Sequence, residues 1–226
     1  MSNISNQTYL REQYKNAANL NDRIQLHVRF STNRYDFHLW VFDQLKIAPD
    51  SRVLELGCGR GEYTVNLARF TPSNNYIGVD IKGARIWRGA KTVHEESLKN
   101  VGFLRIQIER IENFFSEKEV SEIWITFPDP QPQLSRERKR LTSPRFLAMY
   151  KNILVPGGRI HLKTDNKELY EYSLDVARQL NYPVEECTDD LYSVQGTDEV
   201  RAIKTTYEQM FLKRGLKICY LRYRIP

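Results

Sequence analysis

The sequence predicts an α/β fold: a mostly parallel, seven-stranded sheet with helices on both faces. Three observations carry that expectation. From Arg52 onward short apolar runs alternate with longer amphipathic ones, seven short runs can be counted, and the first of them ends in a glycine-rich turn that opens a helix. Strand followed by helix, repeated, builds a parallel sheet that must be covered on both sides.

The elements follow in order. RVLELG (52–57) reads as the first strand and GEYTVNLARF (61–70) as the first helix; NYIGVD (75–80) and GARIWRGAKTVHEESLK (83–99) repeat the pair. GFLRIQ (102–107) and EIWITF (122–127) are the third and fourth strands. SPRFLAMYKNILV (143–155) reads as a helix, with Ser143 as cap and Pro144 at its first position. RIHLKTD (159–165) is the fifth strand, NKELYEYSLDVARQL (166–180) a helix and PVEECT (183–188) a short sixth strand. After the polar stretch 189–204, TTYEQMFLKRG reads as a helix ended by Gly215, and LKICYLRYRI (216–225) alternates like a strand with one wetter face. The first fifty residues differ: YDFHLWVFDQLKI (35–47) is an aromatic, amphipathic helix behind a polar lead. Residues 1–50 are therefore expected to form a helical extension of one domain spanning 51–226.

Composition narrows the function classes. With 226 residues, 41% hydrophobic and 27% charged, the chain suits one sizeable soluble core. The apolar runs are too short and too interrupted to span a bilayer, and MSNISNQTYL lacks the apolar core of a signal peptide, so a cytoplasmic protein without membrane contact is expected. Cys58, Cys187 and Cys219 are odd in number and without CxxC spacing, which argues against disulfides and a zinc site; no metal is expected. A net charge of +6 is a modest hint of an anionic partner.

In VLELGCGRGEYT the strand runs into Gly57, Gly59 and Gly61, a turn that lets backbone approach a ligand at a helix N-terminus. The dinucleotide fingerprint GxGxxG would need glycine at position 62, where Glu62 stands, and Glu55 lies two residues before the first glycine. A carboxylate there repels a pyrophosphate and attracts a sulfonium and an ammonium, which favours S-adenosylmethionine (AdoMet) over NAD. Asp80, about 20 residues on, can accept both ribose hydroxyls. In RIQIERIENF, Gln107 and Glu109 are both offered to the adenine amine, on one face by alternation.

The stretch FPDPQPQLSRERKRLT (127–142) holds the remaining candidates. In open parallel sheets ligands bind beyond the carboxyl ends of the strands where strand order reverses, so Asp129, restrained between Pro128 and Pro130, is placed beside the cofactor. Pro-Asp-Pro is also good turn chemistry. Arg136, Arg138, Lys139 and Arg140, with Arg145 after them, read as a clamp for a phosphate backbone.

ELGCGRGEY, IGVDIKGAR, ITFPDP, RKRLTSPRFL, PGG, HLKTDN and TTYE together resemble the tRNA (guanine-N7)-methyltransferases, over about the last three quarters of the chain. The resemblance implies a Rossmann-like class I methyltransferase with an antiparallel last strand, AdoMet as methyl donor, and tRNA methylated at a variable-loop guanine N7. It implies that Glu55, Gly57, Gly59, Asp80, Gln107 and Asp129 line the cofactor site. Gln133, Asp165, Thr205, Thr206, Tyr207 and Glu208 would surround the target guanosine together with Asp129, and Ser135, Arg136, Arg138, Lys139 and Arg140 would contact RNA. Asp129 and Asp165 are the expected catalytic acids. On spacing alone Asp165 could equally cap the helix from Asn166, and Thr205 with Glu208 could form a capping box. Where relatives show an aromatic and a lysine after FPDP, this chain has Gln131, Pro132 and Gln133. The alternative reading is a class I enzyme acting on a small molecule or an exocyclic amine of nucleic acid; a monomer or weak homodimer is expected.

Overall fold

The computed structural model describes residues 51–193 and 195–226. The helical extension expected for 1–50, and its boundary with the following domain, lie outside the described residues. Seven strands, β1 (Arg52–Leu56), β2 (Asn75–Asp80), β3 (Val101–Arg105), β4 (Val120–Thr126), β5 (Leu154–Thr164), β6 (Val184–Thr188) and β7 (Cys219–Ile225), form one sheet in the order β3-β2-β1-β4-β5-β7-β6. All neighbours are parallel except β7, which runs antiparallel to both β5 and β6. The expected fold class and its antiparallel last strand are as the sequence predicts.

The helices are α1 (Glu62–Phe70), α2 (Gly83–Glu95), α3 (Pro144–Ile153), α4 (Lys167–Gln179), α5 (Glu199–Ala202) and α6 (Thr206–Lys213). The chain builds outward from β1 to β3, then returns to β4 and builds the other way. Right-handed crossovers therefore put α1 and α2 on one face and α3 on the other. Covered on both sides, β1 carries a nearly continuous apolar run, with Val53, Leu54 and Leu56 buried. Glu55 is the exception, equally buried in the centre of the sheet.

Two boundaries and one cap bond differ from the sequence reading for local reasons. Leu154 and Val155 leave the helix and begin β5, because Val155 precedes Pro156 and is pushed to extended backbone. Leu154 then pairs with Val120 across a register shift in β4. β3 stops at Arg105, and residues Ile108–Asn113 form a 3₁₀ turn, so strand alternation does not extend to Gln107 and Glu109. Ser143 holds the cap position of α3 with Pro144 at N1, yet its hydroxyl makes no cap bond and donates instead to the Arg138 carbonyl at 3.3 Å.

Beneath the site, Trp124 of β4 stacks on His161 of β5, ring centroids 3.8 Å apart, and His161 Nδ1 meets the Tyr220 hydroxyl at 2.8 Å. Burial lowers the pKa of the imidazole, against the pull of the Glu122 carboxylate 3.4 Å from Nε2. Gly61 shows why the turn before α1 needs glycine: its φ is +71°, and a Cβ there would stand 2.5 Å from the Phe103 ring.

Candidate active site

The turn from β1 into α1 is held to the end of β2 by its own backbone. Gly57 and Cys58 N–H both donate to the Val79 carbonyl, at 2.8 and 3.1 Å. Gly59 N–H donates to Asp80 Oδ2 at 2.9 Å, while Lys82 N–H donates to Oδ1 at 2.8 Å. Asp80 thus fixes two strand-to-helix turns at once, and each of its oxygens keeps a lone pair for a ligand.

Glu55 is 3% exposed. Its Oε2 accepts from the Thr64 backbone N–H at 2.8 Å and from the Thr64 hydroxyl, and its Oε1 accepts from the Thr126 hydroxyl at 2.6 Å. Burial pushes its carboxyl up to about 7, against the pull of the two threonines. No cation stands within ion-pair distance among the described residues, so the site favours positive charge arriving from outside.

Two open clefts meet at Gly57. The first is lined by Glu55, Tyr63 and Arg85, by Phe127 just beyond β4, and by Thr205 and Tyr207 at the start of α6. The second lies over Asp80, Gln107 and Glu109, with Lys139 and Phe146 opposite. Glu55, Gly57, Gly59, Asp80 and Gln107 all border this bent groove, and Gln107 and Glu109 both remain open to an adenine.

The FPDP loop leaves β4 under backbone constraint. Phe127 and Gln131 bracket it with φ of +47° and +44°, in the left-handed region that non-glycine residues seldom adopt. Phe127 N–H is tied to the Lys163 carbonyl at 2.8 Å. Asp129 is exposed, lines neither cleft, and accepts the Gln131 N–H at 3.1 Å, so its carboxylate also serves the turn. Gln133 is exposed at the start of the 3₁₀ turn Leu134–Lys139.

Ser135, Arg136, Arg138 and Lys139 stand exposed on that turn, and none of the three cations forms an ion pair among the described residues. Arg140 does not belong with them. It is buried, its guanidinium lies 4.3 Å from the centre of the Tyr172 ring, and its Nε donates to the Gln131 carbonyl at 3.3 Å. Arg140 closes the FPDP loop from beneath.

Asp165 sits half-buried just beyond β5 and lines neither cleft; the cap of α4 is Asn166, whose side chain accepts from Leu169 N–H at 2.7 Å, so capping does not account for Asp165. Of the expected capping box only one half forms: Thr205 Oγ1 accepts the Glu208 N–H at 3.2 Å. The Glu208 side chain turns inward, fully buried against Lys163 Nζ at 2.8 Å and the Tyr192 hydroxyl at 2.5 Å. Thr206 donates twice to the Glu62 carboxylate, from N–H at 2.7 Å and from Oγ1 at 2.8 Å. Sequence reasoning missed Thr64, Thr126, Lys163 and this use of Glu62. Only Lys163 left a signal, a lysine inside the apolar run IHLKT.

Residues 49–221 match the family model described as "Putative methyltransferase". The chain is 54% identical over 172 residues to the tRNA (guanine-N(7)-)-methyltransferase of Porphyromonas gingivalis, covering 76% of this chain and 70% of that protein. It is 51% identical over 174 residues to the enzyme of the same name from Christiangramia forsetii, with 76% and 78% covered. Among solved structures, the 16S rRNA methyltransferase KamB superposes with a TM-score of 0.63 at 19% identity, over 86% of this chain and 96% of that one, which speaks to the fold. With a methyltransferase model spanning residues 49–221 and relatives just over half identical across three quarters of its length, this chain belongs to the tRNA (guanine-N7)-methyltransferase family.

Proposed function

We propose that the protein transfers a methyl group from AdoMet to N7 of a guanine in the tRNA variable loop. The observation that carries this reading is the bent groove at Gly57, with a buried carboxylate, Glu55, at one end and a ribose-type acceptor, Asp80, at the other. The residues present fit AdoMet: Glu55 would face the cationic methionine end, Asp80 the ribose hydroxyls, and Gln107 or Glu109 the adenine amine. When bound, AdoMet supplies an electrophilic methyl on a sulfonium.

Guanine N7 already carries an in-plane lone pair, so no residue has to remove a proton from it, and the absence of a histidine or thiol from the expected catalytic set is consistent with that. The remaining task is alignment and charge. Holding acceptor and methyl about 3 Å apart in line supplies several kcal/mol of the barrier reduction. Positive charge moves onto the purine as the bond forms, and Asp129 and Asp165, on the loops after β4 and β5, are the acids assigned to stabilise it and to accept from the guanine N1 and N2 hydrogens. Thr205 and Tyr207 form the wall against which the base is placed. Ser135, Arg136, Arg138 and Lys139 hold the phosphate backbone. Gln133, exposed beside them, is within the same loop, and Thr206 and Glu208 serve this wall from behind. A tRNA substrate places the enzyme in the cytoplasm.

Four outcomes test this. The first follows from Glu55. Its carboxyl, raised to about 7 in the folded protein, ionises at a cost, so its contribution to stability is present below the ordinary carboxylate range and is lost as pH rises toward 7. A cation beside it draws the proton off, and AdoMet affinity measured by calorimetry should rise about tenfold between pH 5.5 and 7.5; Glu55→Gln should bind weakly with a flat profile. Secondly, Asp129→Asn keeps an oxygen for the Gln131 N–H while removing the charge. Turnover should drop about 100-fold with the melting temperature and AdoMet affinity near wild type. Near-normal turnover would remove Asp129 from the mechanism. Thirdly, replacing Arg136 and Arg138 together with glutamine should weaken tRNA binding and reduce the slope of log affinity on log salt by about 1 to 2, sparing AdoMet. Finally, incubation of unmodified tRNA with methyl-labelled AdoMet, followed by nucleoside analysis, should place the label in 7-methylguanosine; label in a different nucleoside would overturn the assignment.

A further inference from the structure

Lys163 is the one wholly buried lysine among the described residues, at 0% exposure in the carboxyl half of β5. A buried ammonium persists only when its donors are all met. Its three protons find the Val200 carbonyl at 2.6 Å, the Ile203 carbonyl at 3.0 Å and Glu208 Oε1 at 2.8 Å, with the Tyr192 hydroxyl at 3.4 Å. The Tyr63 and Tyr192 rings flank it, with centroids 5.3 and 5.8 Å from Nζ. Its own backbone carbonyl accepts the Phe127 N–H. One residue is thus fastened to two of the segments that line the first cleft: to Phe127 through its main chain, and to the segment 200–208, which carries Thr205 and Tyr207, through its side chain. Burial lowers its amine to about 8, opposed by Glu208, which accords with a charge kept in the core by its partner.

We propose that Lys163 is a positioning residue for methyl transfer: together with Glu208 it sets the separation of the Phe127 wall from the Thr205–Tyr207 wall, and Glu208 acts through this ion pair, not by touching substrate. Nothing in the segment 200–208 pairs with β5 as a strand; the ion pair and two carbonyl bonds tie it to β5 from within, beside the packing of Val200 and Ile203 in the core and the Arg201–Glu186 pair to β6. The outer contact of Thr206 with Glu62 is exposed and fastens the same segment only to α1. For its kinetic part this inference rests on the proposed function, which puts the target base in that cleft.

The test is a double-mutant cycle of Lys163→Met, Glu208→Gln and the combined variant, assayed well below their melting temperatures. The combined variant removes both charges together and keeps the cycle readable if Lys163→Met alone fails to fold. Amides of 205–209 should exchange with deuterium about tenfold faster than in wild type, while amides of β1 and β4 keep their protection. With tRNA, kcat should drop about tenfold or more with AdoMet affinity unchanged, and the combined variant should lose no more than either single one, because the two residues act as a unit. Wild-type exchange rates at 205–209 in a folded variant would overturn the proposal, as would losses that multiply in the combined variant. A wild-type protein silent on tRNA but with accelerated exchange in the variants would sink the proposed function and with it the kinetic part, leaving only the fastening of the segment 200–208 by Lys163 and Glu208.

Discussion

The Glu55 carboxylate, buried in the middle of the sheet and held by Thr64 and Thr126, is the constraint from which the site follows. An acid in the interior costs several kcal/mol unless its lone pairs are used. Meeting that demand ties β1 to the first turn of α1 and to the last residue of β4, the two strands between which the strand order reverses. The carboxylate therefore locks the switch point where an open sheet parts and a ligand can enter. It also leaves a negative group whose charge is only half accommodated, which is what a cationic ligand requires of its binding site.

Around this point the work divides between rigid and adaptable parts. The β1–α1 turn is backbone held by backbone and by Asp80, and it presents N–H groups at a fixed position. The loop after β4 is constrained differently, with two left-handed residues at its ends and the buried Arg140 beneath it. The third wall, at the start of α6, is held by side chains alone, Lys163 inside and Glu62 outside. The last of these gives position 62 a use: a glycine there would suit a pyrophosphate, and a glutamate fastens the far wall of the cleft.

The strands, the helices between them and the glycine turn were legible because periodicity and turn chemistry are local properties of sequence; the strand order came only with the fold. So were Glu55 and Asp80, whose position relative to the turn has a geometric meaning. Less legible was the fate of individual charges. Arg140 looks like its neighbours in RERKR, and only the fold reveals that it turns down onto Tyr172. Thr205 and Glu208 have capping-box spacing, but the nearest unmet charge for Glu208 is a lysine 45 positions earlier in the chain, and tertiary pairing wins over the local bond. The reading of Gln107 and Glu109 by strand alternation failed at β3's end, where only Ile106 and Gln107 separate the strand from the 3₁₀ turn and periodicity has no resolution.

The chemistry of the site depends on where the methyl donor lies. A crystal structure of the complex with AdoMet should show it bent over Gly57, its methionine end within hydrogen-bond reach of Glu55 and its ribose on Asp80. A ligand seated elsewhere, or one lying in this groove with its ends reversed, would contradict it.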